Sequence, residues 1–484
     1  MSLRKLLSAV FSLFLVASIS ACGSADKTAA TAQTPADVGI QMFEWPWTAI
    51  ENECPTLAKN GISWVLISPP QEHILGDTWW TSYQPVSYKV ESRLGTRDQF
   101  AAMVSNCKTA GVGIVADAVI NHMTGQENSG VGTGGSSYSH YDYPGIYTKD
   151  DFHECGTPNN DISNYQDREE VQNCELSNLA DLKTETESVR STIRAYLDDL
   201  LSLGVEGFRI DAAKHMPEAD VAAILKGLPA GTRVIQEVIR GAGEPITPEE
   251  YLPSGDVLEF SWGKDMSSLK VGSTFSAYFN AGTSSLYAPS DHAYTFVQNH
   301  DTERGGKAIT YKDPQYEVFN ALLLANPYGT PILYSGYAFT NNDSGPRINH
   351  ATGALLDVTC VERTGPTQTY LDGQWTCQQR WPTLVNMIQW RTDAADAPIA
   401  AKWSDGNGLA FARQGKAFIA VNRGEEPLSG TWDTTLPAGK YCDAGAGEIV
   451  EKCTDPTLEV DKDGQLTGTI QPYGVLATSL SLKN

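Results

Sequence analysis

Residues 207–215 read Gly207-Phe208-Arg209-Ile210-Asp211-Ala212-Ala213-Lys214-His215, a short apolar run that ends in ionisable side chains. Arg209 and Asp211 are two residues apart, so in a β-strand their side chains point the same way. A neighbouring cation stabilises an ionised carboxylate, and such a carboxylate at the end of a buried strand is a candidate nucleophile. The alternative interpretation is a structural ion pair that closes the strand. The stretch alone leaves both interpretations open.

The stretch belongs to a series of apolar runs that alternate with helical patterns. Continuous apolar runs joined by helices indicate a parallel sheet that is buried on both faces. Eight such units predict a (β/α)8 TIM barrel. The predicted strands are 38–44, 62–68, 113–120, 205–211, 234–239, 257–262, 293–298 and 331–334.

Two further regions differ from the barrel pattern. Residues 122–181 are rich in Gly, Ser, Tyr, Asn and Asp, and a structureless loop of that length is improbable, so they predict a domain inserted after strand three. Short strands separated by turns predict an antiparallel β-sandwich domain over 396–484. The barrel then comprises 38–121 and 182–395.

The N-terminus has the features of an export signal. Arg4 and Lys5 precede an apolar segment, 6–19, that is too short to span a bilayer. Ile19-Ser20-Ala21-Cys22 resembles a bacterial lipobox, which implies a signal peptide over 1–21, a lipid on Cys22 and a flexible tether over 22–37. The alternative is an ordinary signal peptide that is cleaved nearby.

Cysteine count and charge support export. Apart from Cys22 there are eight cysteines, an even number that suits disulfides in an exported protein. Sequence does not fix their connectivity; sequential pairing, the simplest hypothesis, gives 54–107, 155–174, 360–377 and 442–453. We expect an extracellular or cell-surface bacterial protein, such as an outer-membrane lipoprotein. The net charge of −23 disfavours nucleic acid and leaves the lipid anchor as the only membrane contact.

Ionisable side chains follow several of the predicted strands, where the functional face of such a barrel lies. His122 follows strand three, Asp211 and Glu237 end strands four and five, and His300 and Asp301 follow strand seven. Each alone could be a capping or ion-pair residue. Three converging carboxylates, however, suit glycosidic bond cleavage. Aromatic side chains that could stack on sugar rings follow strand two: Trp79, Trp80 and Tyr83.

Four regions, 117–122, 207–215, 237–239 and 296–301, resemble in order the regions that mark the α-amylases of the retaining α-glucosidase superfamily, glycoside hydrolase family 13. Segments 43–45, 68–73 and 79–86 are similar to the branch with animal and actinobacterial enzymes. The resemblance extends over nearly the whole chain from Val38. It implies a monomeric enzyme that hydrolyses internal α-1,4-glucosidic bonds in starch, glycogen and related glucans with retention.

The resemblance also implies residue roles. Asp211 matches the nucleophile, Glu237 the general acid/base with a raised pKa, and Asp301 the carboxylate that stabilises the transition state. The implied substrate contacts are Trp79, Trp80, Tyr83, His122, Tyr165, Arg209, Lys214, His215 and His300.

The same resemblance bears on the binding of two ions, calcium and chloride. It implies a structural Ca2+ between barrel and insertion, held by Asn121, Gln172, Asp181 and the main-chain carbonyl of His215, an oxygen set that suits calcium. Many relatives bind chloride through three residues. Arg209 and Asn299 match two of these, but Ile332 stands where a basic ligand is expected, so we expect no chloride activation.

Other functions fit the same sequence. A transglycosylase or another α-glucosidase would share all four regions. A non-catalytic starch-binding lipoprotein is disfavoured by the three intact carboxylates. The sequence leaves open the product length, the pH and temperature optimum, activity on raw starch and the membrane that would carry an anchor.

Overall fold

A computed structural model describes residues 37–270, 274–349, 351–447, 449, 453 and 457–483. The expected signal peptide, Cys22 and the tether up to residue 36 lie outside the described residues. Among the helices of the described part, none has the length and apolar character needed to cross a membrane.

The chain begins with two strand–helix units and a third strand. These are β1 (Gly39–Met42), α1 (Trp47–Lys59), β2 (Trp64–Ile67), α2 (Arg97–Ala110) and β3 (Gly113–Ala118). Helix α2 begins at a capping box, in which the Thr96 side chain accepts from the Gln99 amide and the Gln99 side chain accepts from the Thr96 amide. It ends at Gly111, whose φ of 90° favours glycine.

An insertion follows β3. It contains β4 (His122–Gly125), β5 (Ser129–Val131), β6 (Ser137–Ser139), α3 (Arg168–Asn173) and β7 (Leu179–Asp181). Strands β4 and β7 pair antiparallel, as do β5 and β6. The chain therefore leaves the barrel and returns to it at neighbouring positions.

The chain then returns to the barrel. The elements are α4 (Glu187–Ser202), β8 (Gly207–Ile210), α5 (Glu218–Leu225), β9 (Arg233–Gln236), β10 (Asp256–Glu259), α6 (Phe260–Leu269), β11 (Ala293–Thr295), α7 (His300–Arg304), α8 (Tyr316–Ala325) and β12 (Thr330–Ser335). Gly207 permits the close approach of β8 and β9, because a Cβ there would lie 2.2 Å from the carbonyl oxygen of Arg233.

The eight parallel strands close in the order β1-β12-β11-β10-β9-β8-β3-β2, which confirms the predicted TIM barrel. In the register, Gly39 pairs with both Trp64 and Ile332, so β1 completes the ring. Buried apolar side chains on or directly after β2, β3 and β9–β12 fill the barrel, namely Trp64, Leu66, Val115, Ile235, Leu258, Phe260, Tyr294, Phe296 and Ile332.

Several predicted strand ends are wrong: β9 and β11 end at Gln236 and Thr295, three residues before the expected ends of strands five and seven. Strand six was expected to continue to residue 262, but β10 ends at Glu259 and Phe260 already starts α6. The Glu259 carboxylate accepts from the backbone N–H of Ser261 at 2.8 Å, which caps the helix. A short apolar run does not distinguish a strand from a buried helix.

Helix α9 (Pro382–Ala394) leads into an antiparallel region. Its strands are β13 (Ile399–Asp405), β14 (Gly408–Arg413), β15 (Ala417–Asn422), β16 (Leu428–Asp433), β17 (Gly439–Cys442), β18 (Thr457–Val460), β19 (Gln465–Ile470) and β20 (Val475–Ser479). They form two four-stranded sheets, β13-β14-β15-β20 and β16-β19-β18-β17. Phe418 of one sheet and Trp432 and Leu466 of the other share one buried core, which gives the predicted β-sandwich.

Four disulfide bonds join the described cysteines: Cys54–Cys107, Cys155–Cys174, Cys360–Cys377 and Cys442–Cys453. The sequential pairing is therefore confirmed. The first bond joins α1 to α2, and the second lies within the insertion.

The described chain enters the barrel at Asp37. Its carboxylate accepts from the hydroxyl of Ser63 at 2.9 Å and from the indole N–H of Trp64 at 2.8 Å, and it pairs with Arg233 at 2.9 Å. Trp64 and Arg233 begin β2 and β9. The chain therefore enters at the end of the barrel opposite the carboxyl ends of its strands.

Glu72 ties the insertion to the barrel. Its fully buried carboxylate accepts from the backbone N–H groups of Gly134 and Ser136 at 2.9 and 2.8 Å, and from the hydroxyl of Ser87 at 2.5 Å. Burial alone would raise the pKa of Glu72, but the hydrogen bonds from Ser87 and Ser136 outweigh it and hold that pKa below the ordinary 4.5. The segment between β5 and β6 is thus fixed by a buried anion.

We expect Glu72→Gln to lower the free energy of unfolding by about 1–3 kcal/mol, because one amide oxygen replaces two acceptors and an NH2 group faces buried donors. Since the folded pKa is lowered, the stabilisation is complete above the ordinary pKa and is lost as pH falls through the folded pKa. Thermal unfolding at neutral and acid pH measures both effects. Lys89→Gln is the control: it removes an exposed charge 4.0 Å from Glu72, so a similar loss there would contradict the prediction.

Candidate active site

A cleft of about 750 Å3 lies at the carboxyl ends of the barrel strands, against the insertion. Barrel and insertion both contribute to its walls. The lining residues are Trp79, Trp80, Tyr83, Gln84, His122, Tyr165, Leu176, Ser177, Leu179, Asp211, Ala212, Lys214, His215, Glu237, Ile239, Glu244, His300 and Asp301.

Arg209 lies beneath the cleft and pairs with three carboxylates. Its Nη1 is 2.6 Å from Asp117 Oδ1 and 2.6 Å from Asp211 Oδ1. Its Nη2 is 2.8 Å from Glu237 Oε2, an ion pair without hydrogen-bond geometry. The Arg209 side chain is 1% exposed, so this charge is shielded from water. One buried cation therefore brings Asp211 and Glu237 together.

The backbone after β8 fixes the same pair. Ala212 has a φ of 48°, which strains a residue that carries a Cβ. That conformation aims its N–H at Glu237 Oε2, 3.0 Å away, and the N–H of Lys214 donates to the carbonyl of Glu237 at 3.1 Å. The turn after Asp211 and the end of β9 are thus locked to each other.

The surroundings of the carboxyl groups differ. Burial, with the nearby negative charge of Asp211, raises the pKa of Glu237 although Arg209 opposes the shift. Burial and the charge of Glu237 raise the pKa of Asp301 to about 7. Asp211, by contrast, has a direct hydrogen bond from Arg209. Such a set can provide an ionised carboxylate and a protonated carboxyl group side by side.

Asp117 is a member of this network to which the sequence assigned no role. It is fully buried, and it accepts from the Tyr83 hydroxyl at 2.9 Å as well as from Arg209. Burial raises the pKa of Asp117 to about 7. Asp117 lies inside region 117–122, so the sequence pointed to it. Its contact with Tyr83 forms only when the chain folds, so the sequence did not show it.

Aromatic rings form one wall of the cleft. His300 stacks on Tyr83 with centroids 5.0 Å apart, and Trp79 meets both rings edge-on. Trp80 and Tyr165 are 36% and 40% exposed and lie at the rim. Flat apolar faces beside carboxyl groups suit a ligand with both apolar faces and hydroxyl edges.

The structure brings nearly all of the predicted site residues together. The predicted catalytic and substrate-binding residues line the cleft, except Arg209, which supports it from below. The sequence assigned no role to seven of the lining residues: Gln84, Leu176, Ser177, Leu179, Ala212, Ile239 and Glu244. Glu244 pairs with Lys214 across the cleft wall. Gln84, Ala212 and Ile239 lie inside quoted segments, which was a signal, whereas the other four lie outside them and had none.

The predicted calcium ligands lie where β3, the insertion and the turn after β8 meet. Asn121 Oδ1 and Asp181 Oδ1 are buried and have no hydrogen-bond partner. Gln172 donates to the carbonyl of Met216 at 3.3 Å, and the His215 ring is 3.0 Å from the carbonyl of Val171. Within the described ranges, no group of three or more His, Cys, Asp or Glu could hold a metal ion. A site here would use mostly amide and carbonyl oxygens.

Ile332 lies with Arg209 and Asn299 around a small cavity of about 10 Å3 inside the barrel. Its side chain is apolar and 4% exposed. Of these three residues, only Arg209 carries a positive charge.

Two protein families match the chain. Residues 62–238 match "Alpha amylase, catalytic domain", and residues 401–481 match "Alpha amylase, C-terminal all-beta domain". An α-amylase of Streptomyces violaceus is 44% identical over 96% of this chain and 78% of its own length. An α-amylase of Tenebrio molitor is 37% identical over 92% of this chain and 97% of its own.

Solved structures agree. The crystal structure of a mutant of α-amylase I from Eisenia fetida in complex with maltohexaose has a TM-score of 0.85 and 32% identity. The match covers 93% of this chain and 99% of that one.

Proposed function

The chain belongs to the α-amylase family, and from this premise we propose that it hydrolyses internal α-1,4-glucosidic bonds of starch and related glucans with retention. The observation that carries the proposal is the shared contact of Arg209 with Asp211 and Glu237 on the floor of an aromatic-walled cleft. The first carboxylate is ion-paired, and the second has a raised pKa.

In the first step, Asp211 attacks the anomeric carbon, and the bond to the glycosidic oxygen breaks. Glu237 gives its proton to that oxygen, so the leaving sugar departs as a neutral alcohol. In the second step, Glu237 takes a proton from water as the water oxygen attacks the same carbon, and Asp211 leaves. Two inversions give net retention.

The other cleft residues position the sugar. Asp301 and His300, at the start of α7, face the reacting unit and contact its hydroxyls. Trp79, Trp80, Tyr83 and His122 form the glycone side, and Lys214, His215 and Tyr165 the leaving-group side. Lys214 lies 5.6 Å over the Tyr165 ring, so these two side chains form one surface.

The second step separates hydrolysis from transglycosylation. A sugar hydroxyl in place of water would give a longer glucan instead of a shorter one. The product profile on amylose distinguishes the two activities, and we expect shorter chains only.

We also propose that the protein is exported and carries a lipid on Cys22. The four disulfides are typical of proteins that fold outside the cytosol. The lipobox at 19–22 supports a surface lipoprotein.

We expect Glu237→Gln to lower kcat on starch by about 10²–10⁴-fold, because the amide cannot transfer a proton. Since the pKa of Glu237 is raised above 4.5, wild-type activity should persist above that pH and fall as pH rises through the raised value. A reducing-sugar assay over pH measures both. Glu206→Gln, an exposed change at the amino end of β8, is the matched control. Equal inactivity of wild type and Glu237→Gln, with glucan still bound, would contradict the enzymatic proposal.

We also propose that Asn121, Gln172, Asp181 and the His215 carbonyl hold a structural Ca2+. The two unpartnered buried oxygens, Asn121 Oδ1 and Asp181 Oδ1, support the fit, since burying an unpaired polar atom is costly. The ion would tie the insertion to the barrel beside Asp211.

Chelation with EDTA should lower Tm, and added Ca2+ should restore it. A ligand at 100 times its Kd stabilises the folded state by about 2.7 kcal/mol. Asp181→Asn should weaken calcium binding in a titration, whereas Asp150→Asn, on an exposed turn of the insertion, should not. A metal-free preparation whose Tm does not rise on addition of Ca2+ would rule the site out.

Chloride should not activate the enzyme, because Ile332 offers no positive charge to an anion beside Arg209 and Asn299. Initial rates on starch in chloride-free buffer, with and without added sodium chloride, should agree; sodium nitrate at equal ionic strength controls for salt. A strong increase specific to chloride would contradict the prediction.

A further inference from the structure

The His300 ring is held rigidly in a stack of aromatic rings. It lies between Phe43, with centroids 4.8 Å apart at 17°, and Tyr83, with centroids 5.0 Å apart at 13°. The residue is 1% exposed. With both faces covered, the ring can form polar contacts only along its edge, through its two nitrogens.

The two nitrogens face different partners. Nδ1 is 3.0 Å from Nε2 of Gln41, a residue of β1 that is 4% exposed and points into the barrel. Nε2 lies toward the cleft, 3.4 Å from Oδ2 of Asp301. Gln41 belongs to no quoted motif and does not line the cleft.

A second proton on this ring is disfavoured by its surroundings. Arg209 of β8 and Arg304 of α7 are the nearby cations, and Arg304 also donates to the carbonyl of His300 at 2.8 Å. Burial and these two charges hold the pKa of His300 well below its ordinary value. Asp301 is the acidic group that faces the ring, and Tyr83 and Phe43 cover it. The ring is therefore neutral and carries one N–H.

The hydrogen-bond partners of the two ring nitrogens determine which nitrogen carries the proton. The amide nitrogen of Gln41 only donates, so Nδ1, 3.0 Å away, must accept and the single proton lies on Nε2. Nδ1 is then a bare acceptor, which the amide N–H of Gln41 satisfies. The reverse tautomer would set an Nδ1–H against the N–H of Gln41.

We propose that Gln41 is a positioning residue that holds His300 in the tautomer with its proton on Nε2, so that the ring presents a hydrogen-bond donor to a sugar hydroxyl. This inference rests on the proposed function, which places a sugar beside His300. Gln41 acts through His300 and does not itself touch the substrate.

Selective 15N labelling of histidine tests the assignment directly. The His300 signals are identified by their loss in His300→Gln. In the wild type we expect a protonated Nε2 and a bare Nδ1 at neutral pH without substrate. In Gln41→Glu the new carboxylate only accepts, so we expect Nδ1 to become protonated. We expect kcat/KM on a short maltooligosaccharide to fall by about tenfold, the effect of one misplaced hydrogen bond.

Gln298→Met provides a matched control. Gln298 is also a buried glutamine beside the same interior cavity, but its amide donates to the Tyr316 hydroxyl at 3.1 Å and not to His300. It should leave the His300 signals and kcat/KM unchanged, whereas Gln41→Met should lower kcat/KM at a comparable Tm.

Two results would overturn the proposal: a proton on Nδ1 in the wild type, or wild-type kcat/KM in Gln41→Met at a comparable Tm. The 15N signals are recorded without substrate, so they identify the tautomer of His300 even if the protein shows no activity on starch. A failed proposed function and a failed tautomer assignment are therefore distinguishable.

Discussion

The ion-pair cluster around Arg209 is the constraint on which the site depends. Asp117, Asp211 and Glu237 come from the ends of three adjacent strands, β3, β8 and β9, and their carboxyl groups contact one guanidinium. Carboxylates buried without a cation would neutralise or destabilise the fold. A planar guanidinium can contact several oxygens at once, which a lysine ammonium cannot do in the same geometry.

The barrel and its insertion contribute to the site in different ways. Parallel strands bring distant parts of the sequence to one rim, so that residues 90 or more positions apart, such as Asp117 and Arg209, form a hydrogen bond. The insertion covers that rim and reduces contact with water. Burial is the largest cause of the raised pKa of both Glu237 and Asp301. The buried carboxylate of Glu72 fixes a different part of the same insertion, the segment between β5 and β6.

Much of this arrangement was accessible from sequence, and the limits have physical causes. Apolar runs predicted the barrel because burial on both faces leaves a local pattern. The end of β10 was missed since the choice at Phe260 depends on a cap by Glu259. The carboxyl groups at strand ends were found, whereas the pairing of Lys214 with Glu244 and the tyrosine contact of Asp117 were not. In each contact one partner, Tyr83 or Glu244, lies between barrel strands in a segment that has no periodicity.

The contacts of Asp37 have a practical consequence for how the enzyme can be used. Its carboxylate is held at the amino ends of β2 and β9 by Ser63, Trp64 and Arg233, so Asp37 lies at the amino-end base of the barrel. The cleft opens at the other base, beyond the carboxyl ends of the strands. Coupling to a bead, electrode or film through a side chain at the same base as Asp37 would consequently direct the cleft outward. A glucan polymer too large to enter the gap between the protein and the support could then still reach the cleft.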